Sequence, residues 1–107
     1  VRLTVEGGGD SRRDYLYVQD AVDAIINAVD YKMPEQFISF DVCSGKKYTL
    51  KQILGLLKKN WRGEMKVEYV KKSQTPWRFR VNNKSTQTQL QWKPQVSLEK
   101  GIVKMLG

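Results

Sequence analysis

The sequence contains no histidine, and this absence excludes several kinds of chemistry. Histidine is the general base of the common nucleophilic triads and a frequent zinc ligand, so neither a histidine-based triad nor a histidine zinc site is expected. Only one cysteine is present, Cys43, so no internal disulfide can form. A single thiol fits a reducing compartment, and we therefore expect a cytoplasmic location.

Long apolar runs are also missing from the sequence. No stretch approaches the roughly 20 residues that cross a bilayer, and no signal peptide is visible, so no membrane partner is expected. The 107 residues, 40% of them hydrophobic, give room for one small domain over residues 1–107. The chain starts at Val1 without a methionine, which suggests a piece of a longer protein.

Acidic residues are in short supply, 11 against 19 lysines and arginines, so the formal net charge is +8. The positive electrostatic field of such a charge favours anionic partners and says little about the fold. The basic residues are scattered in pairs, and scattered pairs are usually solvated. The charge leaves a small basic nucleic-acid-binding module as an alternative. However, no DNA- or RNA-binding motif is present, so nucleic acid is not the expected partner.

The apolar pattern alternates between strand and helix periods, which predicts a mixed α/β fold. Short strands are predicted at residues 2–6, 15–18, 37–43 and 65–70. A helix lies between the last two of these strands. They should therefore form a parallel βαβ unit with a right-handed crossover.

Three to four helices are predicted from apolar spacing and capping residues. Asp20 is the predicted N-cap of a helix that starts at Ala21, with a buried face of Val22, Ile25, Ile26 and Val29. Thr49 caps a second helix, with a buried face of Leu50, Ile53, Leu54, Leu57 and Trp61. A short polar helix is predicted over residues 84–89. Ser97 caps a terminal helix whose inward residues are Leu98, Ile102, Met105 and Leu106.

The most informative stretch runs from Gly7 to Val22 and reads GGGDSRRDYLYVQDAV. Three glycines let the backbone approach a ligand closely, because no Cβ is in the way. Arg12 and Arg13 follow, and a guanidinium is a planar fork of donors suited to phosphate oxygens. From the residues alone, a strand–turn–strand with solvated arginines remains the alternative interpretation.

The run RDYLYVQDAV after a glycine turn resembles a stretch of the NAD-dependent epimerase/dehydratase family, the extended short-chain dehydrogenase/reductases that remodel nucleotide-sugars. Two later runs match in the same order. DVCSG resembles the family's NVGSG strand end, and LQWKP followed by SLEKGI resembles its terminal LGWxP and SLExGI signature. Asp41, Cys43 and Gln91 depart from the family's asparagine, glycine and glycine. The matches cover nearly the whole chain, but only the C-terminal portion of a family member.

The resemblance implies the C-terminal substrate-binding lobe of an extended short-chain dehydrogenase/reductase, without its N-terminal Rossmann domain. Its ligand would be a nucleotide-diphosphate sugar, and its other partner the Rossmann domain of the same parent chain. NAD or NADP is implied for the complete protein, and none for this piece. Arg13 would contact the diphosphate, and Arg78 or Arg80 would complete the clamp. The other candidate substrate-binding residues are Gly9, Tyr15 and Trp77, the tryptophan as a stacking platform for a base or sugar.

No catalytic or metal-binding residue is identified. The family's catalytic tyrosine has a lysine four residues later, and no tyrosine here has one at that offset. Gly7 and Gly9 satisfy two positions of a dinucleotide fingerprint, but Arg12 occupies the third. Cys43, Trp61 and Trp92 are interpreted as packing residues. We therefore expect the piece to be inert alone, and a ligand-free assembly domain is a further alternative.

Overall fold

The structure is a computed structural model that describes residues 1–32, 37–70 and 82–107. The described elements, in chain order, are β1 (Arg2–Glu6), β2 (Arg12–Asp14), α1 (Val18–Val29), β3 (Lys47–Thr49), α2 (Leu50–Asn60), β4 (Lys66–Val70), α3 (Lys84–Leu90) and α4 (Leu98–Leu106). The predicted mixed α/β class, with a parallel strand pair and four helices among the described residues, is confirmed. Within those ranges no helix combines the length and apolar character needed to span a bilayer.

The chain divides into two compact units. Unit 1 comprises Val1–Arg13, Lys47–Phe79 and Glu99–Gly107, and unit 2 comprises Asp14–Lys46 and Arg80–Leu98. Unit 1 contains the two-stranded parallel sheet, in which Leu3 is opposite Val67 and Val5 opposite Tyr69. Its buried apolar side chains include Val5, Leu54, Met65 and Ile102.

The partner of β4 differs from the predicted one. β4 pairs with β1, whereas residues 37–43 form no strand within the described part of the chain, so the predicted pairing was wrong. The alternating apolar pattern of residues 37–43 is that of a strand, but a strand also needs a neighbour that accepts its hydrogen bonds. β2 and β3 form a second, short two-stranded sheet.

Helix α2 of unit 1 begins where the sequence predicts. The Thr49 hydroxyl accepts a hydrogen bond from the Gln52 amide at 3.2 Å, and the Gln52 carboxamide oxygen accepts one from the Thr49 amide at 2.8 Å. This reciprocal capping box satisfies two amides that a helix end otherwise leaves unpaired. Leu54 is buried, but the interpretation of Trp61 as a core residue was wrong. The helix ends at Asn60, and Trp61 is extended and 38% exposed.

Unit 2 is built around Trp92, whose prediction as a packing residue is confirmed. The core cluster consists of Ala24, Leu90 and Trp92, with Leu16, Ala28, Tyr31 and Phe40 packed against it. The Trp92 indole nitrogen donates to the Asp20 carbonyl at 2.9 Å, so its one polar group is satisfied inside the core.

Helix α1 was predicted incorrectly in two respects. It begins at Val18 rather than Ala21, and Tyr17, not Asp20, occupies the N-cap position. The strand predicted at residues 15–18 is replaced by β2, which ends at Asp14. The predicted buried face is exposed: Ile25 is 62% and Val29 79% accessible. The buried residues are instead Asp20 and Ala24.

The C-terminal region follows the predicted elements closely. The short helix expected over residues 84–89 is α3, and α4 begins directly after Ser97. Ile102 is buried as predicted, whereas Met105 is 78% exposed and does not point inward. α3 ends at Leu90, and the next residue, Gln91, is in the left-handed conformation with φ 50°, which explains why the resembling family has glycine there.

Candidate anion-binding site

The glycine turn after β1 is packed against unit 1 rather than fully open. Gly9 is buried with φ +71°, and a Cβ placed on it would lie 3.0 Å from Lys51 Cγ and 3.1 Å from Tyr69 Cε1. Its carbonyl accepts a hydrogen bond from the Lys51 amide at 3.1 Å. At Gly7, with φ +73°, an added Cβ would meet no atom within 4 Å. The turn therefore needs glycine at position 9 for both conformation and close packing.

The side chain of Lys51 also holds this turn in place. Its ammonium group lies 3.1 Å from an Asp10 carboxylate oxygen and 5.9 Å from the centre of the Tyr69 ring. Both interactions are exposed and individually weak. Together with the Gly9–Lys51 hydrogen bond, they attach the turn to the beginning of α2.

Arg13 lies on β2, four residues after Gly9, and is exposed. Within the part of the chain that the structure describes, its guanidinium has neither an ion-pair nor a hydrogen-bond partner. Arg12 is also exposed, but successive strand residues point to opposite sides. Unit 1 thus presents one unpaired guanidinium on each side of a short strand that follows an anchored turn.

The other predicted site residues are not brought together with Arg13 by any described contact. Trp77, Arg78 and Arg80 lie outside the described residues. Tyr15 belongs to unit 2, where it is half-buried between β2 and α1. The role assigned to these residues remains a prediction.

Asp14 in unit 2 has a structural function that the sequence did not reveal. One carboxylate oxygen accepts a hydrogen bond from the Ser44 amide and the other from the Gly45 amide, each at 2.8 Å. Gly45 has φ +83°, so this turn requires a residue without a Cβ. Asp14 therefore connects the first family-like run to the turn of the second.

Two polar residues near α3 hold the same segment through its carbonyls. The Asn83 side-chain nitrogen donates to the Cys43 carbonyl at 2.8 Å, and the Thr86 hydroxyl donates to the Asp41 carbonyl at 2.7 Å. Both side chains are buried. Their spacing of three residues at the start of a helix is the sequence feature that could have indicated this shared role, because residues i and i+3 share one helix face.

Cys43 is half-buried within this network. Burial raises the pKa of its thiol, and the nearby carboxylates of Asp14 and Asp41 raise it further, since they disfavour a second negative charge. A raised pKa keeps the sulfur as the poorly nucleophilic thiol. This environment supports a structural role for Cys43.

Asp20 joins the first family-like run to the last. Its carboxylate oxygens accept hydrogen bonds from the Gln95 and Val96 amides, each at 3.0 Å, and its carbonyl accepts one from Trp92. The three runs recognised in the sequence are therefore physical partners within unit 2. Among the described residues, no cluster of acidic or cysteine side chains could hold a metal ion.

The fold is that of a mixed α/β protein, and it exposes Arg12 and Arg13 directly after the glycine turn. The family model described as GDP-mannose 4,6 dehydratase matches residues 2–105. The chain therefore belongs to this family of NAD-dependent epimerase/dehydratase proteins.

Individual relatives and solved structures are similar to this chain. The CDP-abequose synthase of Salmonella muenchen is 27% identical over 98 residues, which are 90% of this chain and 33% of the relative. The ADP-L-glycero-D-manno-heptose-6-epimerase structure from Helicobacter pylori matches with a TM-score of 0.85 and 23% identity, over 98% of this chain and 32% of that one. The structure of UDP-glucose 4-epimerase from Thermotoga maritima, solved with UDP-glucose, matches with a TM-score of 0.77 and 26% identity, over 99% of this chain and 36% of that one. The chain spans about a third of the length of these proteins.

Proposed function

We propose that this chain is the nucleotide-sugar-binding part of an NAD(P)-dependent sugar epimerase or dehydratase, without catalytic activity of its own. Arg13 carries the proposal: it is an exposed guanidinium without an internal partner, directly after a glycine turn that is anchored to α2. A guanidinium can bind two phosphate oxygens at once and would neutralise the diphosphate of the ligand. Arg78 or Arg80 would supply the second cation.

The cofactor, NAD or NADP, belongs in this proposal to a Rossmann domain of the complete protein. The glycine turn of this chain does not fit a dinucleotide. It leads from β1 into the strand β2, whereas a dinucleotide pyrophosphate binds at a helix N-terminus. Arg12 also occupies the place of the third glycine. This chain would therefore hold the sugar nucleotide, and the other domain the cofactor.

The proposal is tested by calorimetric titration of UDP-, GDP-, dTDP- and CDP-sugars into the 107-residue chain at low ionic strength. We expect weak binding of one class, because the remaining part of the pocket belongs to the other domain. Arg13→Ala should weaken it by about tenfold or more, the effect of losing a hydrogen bond to a charged group.

Arg12→Ala is the matched control, because it removes the same charge from the opposite side of β2. Its affinity should stay within about twofold of the unsubstituted chain. Equal losses in both variants would mean that general charge attraction, rather than a site at Arg13, holds the ligand. No binding of any nucleotide-sugar would also contradict the proposal.

A further inference from the structure

Strand β4 has one edge paired with β1 and a second edge without a strand neighbour among the residues that the structure describes. The Lys66 amide and the Val70 carbonyl form hydrogen bonds with the two residues that flank β1, each at 2.8 Å. In a parallel pair, the residues of one strand that bond to its neighbour alternate with those that do not. Residues 66, 68 and 70 therefore bond to the β1 side, and the amides and carbonyls of Val67 and Tyr69 point to the other edge.

This second edge of β4 is available to a further strand. Over the described ranges, neither Val67 nor Tyr69 forms a backbone–backbone hydrogen bond outside the pair of β1 and β4. An unpaired strand edge presents a row of donors and acceptors with the spacing that another strand needs. The edge is therefore a candidate surface for strand addition.

A groove lies between β4 and α2, lined from the helix by Leu54 and Gly55 among others, and from the strand side by residues 65–69. Tyr69 points to the α2 side of the sheet, since the Lys51 ammonium group lies 5.9 Å from the centre of its ring. Gly55 is inside α2, where glycine lowers helix stability relative to alanine, and a Cβ on it would meet no atom within 4 Å. No contact within the described part of the chain requires glycine there, whereas the close approach of another chain would.

The side chains of β4 are arranged to pair with a second copy of the same strand. Lys66 and Glu68 flank Val67 and are exposed on the opposite face of the sheet. When two β4 strands run antiparallel with the two Val67 residues opposed, each Lys66 lies opposite the partner's Glu68. Val67 then takes a hydrogen-bonded position, which fits the direction of its amide and carbonyl. The two Lys66–Glu68 pairs take the positions where side chains are closer, and opposite charges there stabilise the pairing.

Charge selects this register over its neighbours. Centring the twofold axis on Lys66 or on Glu68 brings two like charges directly opposite each other, which is destabilising. Centring it on Tyr69 places Glu68 opposite Val70. Of the axes at residues 66–69, the one at Val67 pairs opposite charges.

We propose that two copies of this chain associate through the second edges of their β4 strands, antiparallel and centred on Val67, to form a four-stranded sheet in the order β1–β4–β4–β1. A twofold axis normal to this sheet places both α2 helices on one side of it, so that the groove beside Gly55 becomes part of the interface. The association does not depend on the proposed function, since Arg13 lies on β2 in the other sheet. The paired edges are only five residues long, so we expect a Kd on the order of 10–100 µM.

Sedimentation of the 107-residue chain between about 1 and 500 µM measures this association. Each copy carries a net charge of +8 and brings Lys58 to the groove, so the buffer contains about 150 mM salt, which screens repulsion between exposed charges. We expect a concentration-dependent change from monomer to dimer.

A charge exchange tests the register. Lys66→Glu and Glu68→Lys should each weaken self-association by about tenfold or more, because each creates two pairs of like charges in the dimer. An equimolar mixture of the two variants should associate within about threefold of the unsubstituted chain, because residues 66 and 68 again have opposite charges in both contacts. Lys84→Glu, at an exposed position of unit 2, is the charge control and should change the affinity by less than about twofold. Circular dichroism of each variant checks that the fold is kept.

Amide hydrogen exchange measured by NMR tests the edge residue by residue. The amides of Val67 and Tyr69 should exchange about threefold or more slowly at 500 µM than at dilute concentration, because pairing protects them. The amides of Glu68 and Val70 are already bonded to the β1 side and should exchange slowly at every concentration. Burial of a whole surface would protect neighbouring amides alike, so a change at alternate residues is specific to an added strand.

Three results would overturn the proposal. The first is a chain that stays monomeric up to about 500 µM, which would leave the edge of β4 to an extended peptide of another protein. The second is association of the unsubstituted chain together with failure of the mixed, folded variants to associate. The third is a dimer in which the amides of Val67 and Tyr69 gain no protection, since another surface would then hold the two copies together.

Discussion

Two carboxylates, Asp14 and Asp20, each bind two consecutive backbone amides from a distant part of the chain. Asp14 holds the amides of residues 44 and 45, and Asp20 those of residues 95 and 96. Hydrogen bonds to a charged acceptor stabilise more than neutral ones, particularly where water is excluded. These acids therefore fix loops that carry no regular secondary structure.

Asp20→Ala should lower the free energy of unfolding by about 3 kcal/mol, because two amides lose a charged acceptor at a buried position. Asp23→Ala is the matched control on the same helix. Its carboxylate binds only the exposed Gln19 side chain, so the change should stay within about 0.5 kcal/mol. Urea denaturation measures both, and similar losses for the two variants would contradict the role of Asp20.

The sequence could not reveal what Asp20 does. An aspartate before an apolar periodic run has the pattern of an N-cap, and this local rule predicted a helix start at Ala21. The real partners, the amides of Gln95 and Val96, are about 75 positions later in the chain. Hydrogen bonds between residues so far apart in sequence depend on the tertiary structure, and no local sequence pattern indicates them.

Elements whose determinants are local were predicted well. α2 carries its own start signal, since Thr49 and Gln52 cap each other within one turn. α1 was misread because its apolar face was assumed to point into its own core. The opposite face is inside, and it is marked by a buried acid and a small alanine rather than by large apolar residues.

At the end of α3, Gln91→Gly should raise the free energy of unfolding by about 0.5–1 kcal/mol. A residue with a Cβ is strained at φ 50°, and glycine removes that strain, while its greater freedom in the unfolded chain offsets part of the gain. Gln89→Gly, inside α3, should instead lower the free energy of unfolding by about 1 kcal/mol. Denaturant titrations of both variants give the comparison, and destabilisation by Gln91→Gly would show that the left-handed residue is not strained.

For the whole molecule, the net charge is +8, and some of the basic side chains are paired with acidic ones at the surface. Four basic side chains of unit 1 lie 3.1–3.8 Å from acidic partners, in the pairs Arg2–Glu68, Lys51–Asp10, Lys59–Glu99 and Lys66–Glu64. A nucleic-acid surface normally keeps its cations free and clustered. These four cations are therefore less available to a polyanion than unpaired ones would be.

Binding of a single-stranded oligonucleotide should weaken by about tenfold or more between 50 and 200 mM salt, because it depends on the release of counterions. Binding of a nucleotide-sugar, which places fewer charges in closer contact, should change by about threefold or less. Fluorescence anisotropy and calorimetry measure the two responses. Oligonucleotide binding that survives 200 mM salt, without any nucleotide-sugar binding, would favour the nucleic-acid alternative.

The fold class was predictable because apolar periods are visible residue by residue, but the strand partners were not. β4 pairs with β1, and the opposed residues Arg2 and Lys66 are separated by sixty-four positions. Residues 37–43 have an equally good strand pattern and lie closer in sequence. Pairing is decided by which edges meet in three dimensions, and a single sequence does not contain that information.

The long separation in sequence between β1 and β4 also affects the chain while it is being synthesised. A ribosome adds about 5–20 residues per second, so β1 waits on the order of 3–13 seconds before β4 has been made. Throughout that interval Leu3 and Val5 are exposed on a nascent chain whose parallel neighbour does not yet exist. Chaperones that bind short apolar segments would therefore have several seconds in which to bind β1, and a slowly translated messenger would lengthen that exposure.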